Sequence, residues 1–200
     1  MYRKTRASLA STILAMTMTV LATVVSTSVA SAAPDGRAAF VAEAREAGLS
    51  VEQATGLQNE VDAYLTKLDG KGTQISPNQI DLKGAVLNIP VPGEKQPRQL
   101  GDMGVAAEGP NSTECVGGAR YGWFCAYQNQ NLSGANIGMY RCGVTWSIPW
   151  VTTGSWDNNQ TAGTQPLLTF TNGSTWWMPA ARSVQTTGVN WAPVRNIRPC

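Results

Sequence analysis

The stretch FCAYQNQNLSGANIGMYRC, residues 124–142, decides the fold. It holds two cysteines, a tyrosine just after the first, and a glycine seven residues beyond that tyrosine. The preceding YGWFCAY alternates, which places Tyr121, Trp123, Cys125 and Tyr127 on one face of a strand. The chain must then leave that strand, fold over through QNQNLS and return. Gly134 suits the fold-over because it takes positive φ without a Cβ penalty. An aromatic ring at the strand end, Tyr127, can cover the folded backbone. A return strand over residues 135–141 then carries the chain to Cys142. Every odd feature of the stretch has a mechanical use in a strand–turn–strand unit.

The two cysteines belong to a set of four: Cys115, Cys125, Cys142 and Cys200. Three pairings are possible, and Cys115–Cys125 with Cys142–Cys200 is preferred. The first closes a short loop, and the second ties the chain end to the middle of its domain. In the loop-entropy model they contribute about 3 and 4 kcal/mol. A β segment this small builds a limited core, so such links matter to it. The nine, sixteen and fifty-seven residues between successive cysteines do not provide the close ligand pairs of a zinc site.

Outward from this stretch, residues 146–151, 166–171, 175–178 and 183–185 are further short strand candidates. Thr171-Asn172-Gly173-Ser174 carries an Asn-Gly hairpin signal. No helical periodicity persists after residue 111, so 114–200 reads as an all-β sandwich or small barrel. Upstream the language differs. Residues 36–48 favour helix, with Phe40, Val41, Ala44 and Ala47 on one side. Ser50 and Gln53 form a capping box ahead of Val51, Ala54, Leu57, Val61, Tyr64, Leu65 and Leu68 at helical spacing. Asp69-Gly70-Lys71-Gly72 stops that helix. QIDLKGAVLNIPVP then reads as a hairpin turning near Lys83-Gly84. Residues 34–92 thus form an acidic helix-helix-hairpin module or pro-segment. Residues 93–113, rich in Gly, Pro and charge, read as a linker.

Charge and targeting support this division. Residues 34–110 carry eleven carboxylates against seven Lys or Arg, whereas residues 111–200 carry two against five. All seven tryptophans and all four cysteines lie in the later part. The opposite charges predict that the two parts dock. MYRKTR, an uncharged run and Ala30-Ser31-Ala32 make residues 1–33 a signal peptide. The expected product is therefore a secreted, extracellular, disulfide-bonded monomer with no membrane segment after cleavage.

At this point the residues resemble a family. Tyr127, six residues and Gly134, followed by DNNQT at residues 157–161, resemble the Greek-key unit of microbial βγ-crystallins. The Cys-bounded loop, FCAY and LSGA are more similar to the secreted metalloproteinase inhibitors of Streptomyces and their relatives, which share that fold. The likeness covers residues 114–162. It weakens from 163 to 200, where Trp177 to Gly188 is too long a gap for a second fold-over. The resemblance implies a mainly β, βγ-crystallin-like Greek-key sandwich that inhibits an extracellular metalloprotease through an exposed loop. Residues 142–150 and 176–182 are the candidate segments, and no inhibitory contact residue is assigned.

The ionisable inventory bounds the alternatives. With no histidine there is no Ser-His-Asp triad, Cys-His pair or histidine-ligated zinc. Beyond residue 113 only Glu114 and Asp157 are carboxylates, a poor supply for a two-carboxylate glycosidase. The expectation is a protein that is not an enzyme. The resemblance implies one calcium loop, with Asp157, Asn158 and Thr161 as ligands, but a single aspartate makes a weak site and an Asx-stabilised turn is the competing role; no other cofactor is expected. Seven tryptophans leave a second function open, a non-catalytic aromatic-rich module binding glycan or cell wall. Five scattered arginines make no phosphate track, so nucleic acid is not expected. Asn111, Asn131, Asn159 and Asn172 match the N-glycosylation pattern, here read as polar turns.

Overall fold

Element boundaries follow local chemistry across residues 36–100 and 112–200, the residues described in this computed structural model. Helix α1 spans Gly36–Glu46 and α2 spans Val51–Lys67. The Ser50 hydroxyl accepts from the Gln53 N–H and the Gln53 side chain accepts from the Ser50 N–H, so the capping box forms. Asp69 and Gly70 end the helix at φ of 54° and 69°. Ala54, Leu57, Val61, Tyr64 and Leu68 are buried, while Val51 and Ala47 face solvent.

The strands that follow are β1 Thr73–Ser76, β2 Gln79–Asp81, β3 Ala85–Asn88, β4 Trp123–Asn129, β5 Ser133–Met139 and β6 Trp146–Ser147. The remainder are β7 Thr153–Asn159, β8 Leu167–Phe170, β9 Thr175–Trp177, β10 Ser183–Asn190 and β11 Val194–Arg198. All their pairings are antiparallel, and among the described residues they make two sheets, ordered β1-β2-β3-β5-β4-β7-β10 and β6-β11-β8-β9. Among the described residues the fold is mainly β, with two α-helices, a short 3-10 turn at Ser112–Cys115 and two disulfides.

Beyond residue 122 the order repeats itself. In β4 to β7, the second strand pairs the first, the first pairs the fourth, and the third crosses to the other sheet. β8 to β11 do the same, with β10 sent back beside β7. In the second set the turn between the first two strands is the tight hairpin at Asn172-Gly173. There Gly173 has φ 85° and the Phe170 N–H donates to the Ser174 carbonyl.

The long sheet also joins the two compositions. β3 pairs β5 from Ala85↔Met139 to Asn88↔Asn136, so the expected N-terminal module supplies three strands of the sheet built by the later segment. The compositional boundary is thus not a structural one, and Ala33–Cys200 form a single unit. The start of the expected linker is tied in as well. Leu100 is buried, the Lys95 carbonyl accepts from the Gly134 N–H at 2.7 Å, and the Arg98 carbonyl accepts from Asn78 at 2.7 Å. The expected signal peptide and residues 101–111 lie outside the described residues.

Leu57, Val61, Ile80, Leu87, Ile89, Phe124, Ile137, Trp156, Leu168, Trp191 and Ile197 belong to one buried cluster drawing on α2 and both sheets. Burying an aliphatic side chain of this size contributes about 1.5–3 kcal/mol. Losing Leu87 and Ile89 alone would cost a large share of the roughly 5–15 kcal/mol by which domains are stable. Residues 36–92 are therefore structural members of this fold.

Candidate functional site

The turn between β4 and β5 is a tight fold-over. Asn131, Leu132 and Gly134 have φ of 59°, 54° and 78°. A Cβ on Gly134 would lie 2.6 Å from Asn129 Nδ2 and 3.2 Å from Gln128 Cβ, so glycine is required there. Tyr127 is fully buried with Cys115, Cys125 and Ala119, and Leu132 of the turn packs on the same cluster. Its hydroxyl donates to the Cys115 carbonyl at 2.8 Å. Burial, then the nearby Asp157 charge, push its ionisation far above the ordinary tyrosine value. Tyr127 is a structural phenol, locking the Cys115 loop to the sheet.

The two disulfides are Cys115–Cys125 and Cys142–Cys200, with no free cysteine among the described residues. Cys115 Sγ and the Trp123 ring stack over β5, where Gly138 leaves room. A Cβ at Gly138 would lie 2.9 Å from that sulfur.

The calcium ligands implied by DNNQT do not converge. Asp157 and Asn158 are consecutive in β7, so their side chains point to opposite faces. Asp157 is 2% exposed and shares the face of Cys125, its register partner. Its Oδ2 accepts from the Ala119 N–H at 2.8 Å, and its Oδ1 lies 3.5 Å from Arg182 Nη1. The Asn158 amide instead donates to the Thr164 and Pro179 carbonyls, and Thr161 is exposed. The motif residues do not fit a calcium cage, and no cluster of His, Cys, Asp or Glu among the described residues is placed to hold a metal ion. Two asparagines of the glycosylation pattern have structural partners: Asn159 donates to the Ala119 carbonyl across 40 residues, and Asn172 accepts from the Ser174 N–H and hydroxyl within its own turn; Asn111 lies outside the described residues.

Asp157 and Asn158 instead brace the segment between β9 and β10. The Met178 N–H donates to the Pro166 carbonyl at 2.8 Å, and Gln165 Nε2 to the Met178 carbonyl at 3.1 Å. The Ala181 N–H donates to the Thr164 carbonyl at 2.9 Å, and the Ala181 carbonyl accepts from Gly163 at 3.1 Å. The Pro179 carbonyl accepts from Asn158 and from the Ser183 hydroxyl. Met178 is fully buried and plugs the loop into the core. Just before these anchors, at the end of β9, Trp176 and Trp177 are 44% and 54% exposed, and among the anchors Pro179, Ala180 and Arg182 also face solvent. The result is an outward-facing segment with its backbone fixed on the inner side.

The other candidate segment, residues 142–150, turns its three large side chains inward and exposes Cys142, Gly143, Thr145 and Ser147. Trp146, Ile148 and Trp150 are buried; Trp146 Nε1 donates to the Leu82 carbonyl at 3.0 Å and Trp150 Nε1 to the Tyr64 hydroxyl at 3.1 Å. It packs against α2 through Tyr64 and against the β2–β3 connection through Leu82. Four tryptophans (146, 150, 156 and 191) thus lie in the core, and Trp123 is half-buried against Tyr140. Trp177 shares the outer face of its sheet with Leu167 and Arg198, whose guanidinium carbon lies 5.5 Å from the indole centroid. No family model, no curated protein and no solved structure matches this chain.

Proposed function

We propose that the chain is a secreted peptidase inhibitor, directed at an extracellular metalloprotease, that presents residues 176–182 to the protease cleft from a βγ-crystallin-like frame. The observation that carries this reading is the bracing of that segment: exposed side chains on a backbone tied by six hydrogen bonds to residues 158, 163–166 and 183. A loop already ordered loses less conformational freedom on binding, so more of the contact energy appears as affinity. Trp177 and Arg182 are the residue types that anchor protein interfaces. The repeated exchange of third strands between two sheets, the Tyr127–Gly134 fold-over and the cystine-closed loop support the family reading made from the sequence. The two cystines are consistent with an oxidising, extracellular setting.

The test is a titration of the oxidised, signal-cleaved chain into thermolysin-type and subtilisin-type proteases. Loss of activity at a near-equimolar ratio for the metalloprotease, weakened at least tenfold in Trp177→Ala/Arg182→Ala, is the expected result. Full protease activity at a hundredfold excess would refute it. The exposure of Trp176 and Trp177 also favours a second reading, an aromatic surface for glycan or cell wall. Pull-down by insoluble peptidoglycan or chitin that vanishes in Trp177→Ala, without protease inhibition, would select that one.

A further inference from the structure

A cleft of about 560 Å³ opens where the two compositions meet, away from the braced loop. Its apolar wall is Leu68 at the end of α2, Leu82 before the β2–β3 turn, and Val144 and Trp146 after β5. Three cations line it, Lys71, Lys83 and Arg141, and no carboxylate does. Two of them come from the acidic part of the chain, so composition does not explain their gathering. None of the three is in an ion pair among the described residues, although four pairs form elsewhere. The nearby Asp81 carboxylate accepts from the Lys83 N–H and does not line the cleft.

The walls are fixed before any ligand arrives. Trp146 Nε1 donates to the Leu82 carbonyl at 3.0 Å, pinning the indole. The N–H groups of Tyr140 and Arg141 both donate to the Gly84 carbonyl, at 3.3 and 3.2 Å. A Cβ at Gly84 would lie 2.7 Å from Arg141 Cβ and 2.8 Å from its Cδ, so the missing side chain lets the arginine stem lie flat on the turn. A volume of this size is that of a small-molecule site, and apolar walls with a few convergent polar groups are the usual construction. Uncompensated cations around such walls select against neutral and cationic occupants.

We propose that this cleft binds an organic anion, its carboxylate or phosphate held among Lys71, Lys83 and Arg141 and its apolar body lying on Leu68, Leu82, Val144 and Trp146. The site is independent of protease inhibition and survives failure of that reading. Calorimetry on the oxidised, signal-cleaved chain with octanoate, octyl phosphate, octanol and inorganic phosphate tests it. One-to-one binding of octanoate or octyl phosphate is expected, at least tenfold tighter than octanol or inorganic phosphate. The tighter of the two amphiphiles identifies the head group. Lys71→Ser/Lys83→Asn/Arg141→Ser should weaken that binding at least tenfold with an unchanged melting temperature; asparagine tolerates the positive φ of Lys83. Val144→Asp, which keeps all three cations and adds a carboxylate to the wall, should do the same, and decides the matter if the triple variant does not fold. Binding of neither amphiphile, equal binding of octanol or of inorganic phosphate, or undiminished binding by a folded variant would overturn the proposal.

Discussion

Replacing Asn88 with alanine probes the joint between the two parts of the chain. Asn88 is 2% exposed and sits in a row of amides crossing β2, β3 and β5. Its Oδ1 accepts from Gln79 Nε2 at 2.9 Å, and its Nδ2 donates to Asn136 Oδ1 at 2.8 Å. Alanine removes both bonds and leaves a donor on Gln79 and an acceptor on Asn136 without partners. A buried polar group left unpaired costs about 1–3 kcal/mol, so the substitution should destabilise by about 4 kcal/mol. For a fold of this size that is about 8–16 °C in melting temperature. Asn136→Ala breaks the same bond from the other side. Thermal and urea unfolding of the two single variants and the double variant should therefore give non-additive losses, with a coupling of about 0.5–3 kcal/mol. Asn88→Ala within about 0.5 kcal/mol of wild type, or strictly additive losses, would refute the claim that β3 and β5 are structural neighbours.

Other expectations follow from individual contacts. Gly154→Ala drives a Cβ into Trp191 Nε1 and the Tyr127 carbonyl, which are themselves hydrogen-bonded at 2.7 Å, and should cost about 3 kcal/mol in urea unfolding; a loss under about 0.5 kcal/mol would contradict the packing at β7. Burial pushes the Tyr64 phenol up to about 12, partly offset by the hydrogen bond from Trp150. Its folded value lies above its unfolded one, so its contribution is complete below about pH 10 and is lost as pH rises through about 12. Tyr64→Phe cannot ionise and should lose less stability than wild type across that window, while being less stable at pH 7 because Trp150 Nε1 loses its acceptor; parallel alkaline declines would count against the burial. Cys142 is exposed, whereas Cys115 and Cys125 are 1% and 0% exposed, so mild reductant should open Cys142–Cys200 first. Alkylation and mass mapping read the order directly, and the reverse order would contradict the placement of the cystines.

Much of the local structure was legible because single residues enforce it. The Ser50–Gln53 box starts α2, Asn172-Gly173 turns β8 into β9, and the Tyr127–Gly134 spacing makes the first fold-over. β7 and β11 were not anticipated, although both lie inside their sheets. TGSWDNN is full of residues depleted in strands, and nothing local reveals that its Ser155, Asp157 and Asn158 side chains find partners in other parts of the chain. Ser155 donates to the Asn129 carbonyl, Asp157 accepts from Ala119, and Asn158 donates to Thr164 and Pro179. The calcium ligands that the resemblance implied for DNNQT fail to converge for a different reason: strand geometry sends Asp157 and Asn158 to opposite faces. The separation of an acidic module from a basic domain was misleading because composition records charge, while β3–β5 pairing is made by the backbone. The braced segment at 176–182 could be named from sequence, but its anchors could not, since Met178, Asn158 and Gln165 become partners only in the folded chain.

Where a protease touches the chain is the most direct test of the account. Hydrogen exchange should be measured on the oxidised, signal-cleaved chain alone and with an equimolar thermolysin-type metalloprotease whose activity has been blocked by mutation. New protection is expected in peptides covering residues 176–183 and the bracing residues 163–166, with residues 71–83 and 142–147 unchanged. Protection confined to the cationic cleft, or no protection anywhere, would contradict the assignment of the braced loop as the working surface.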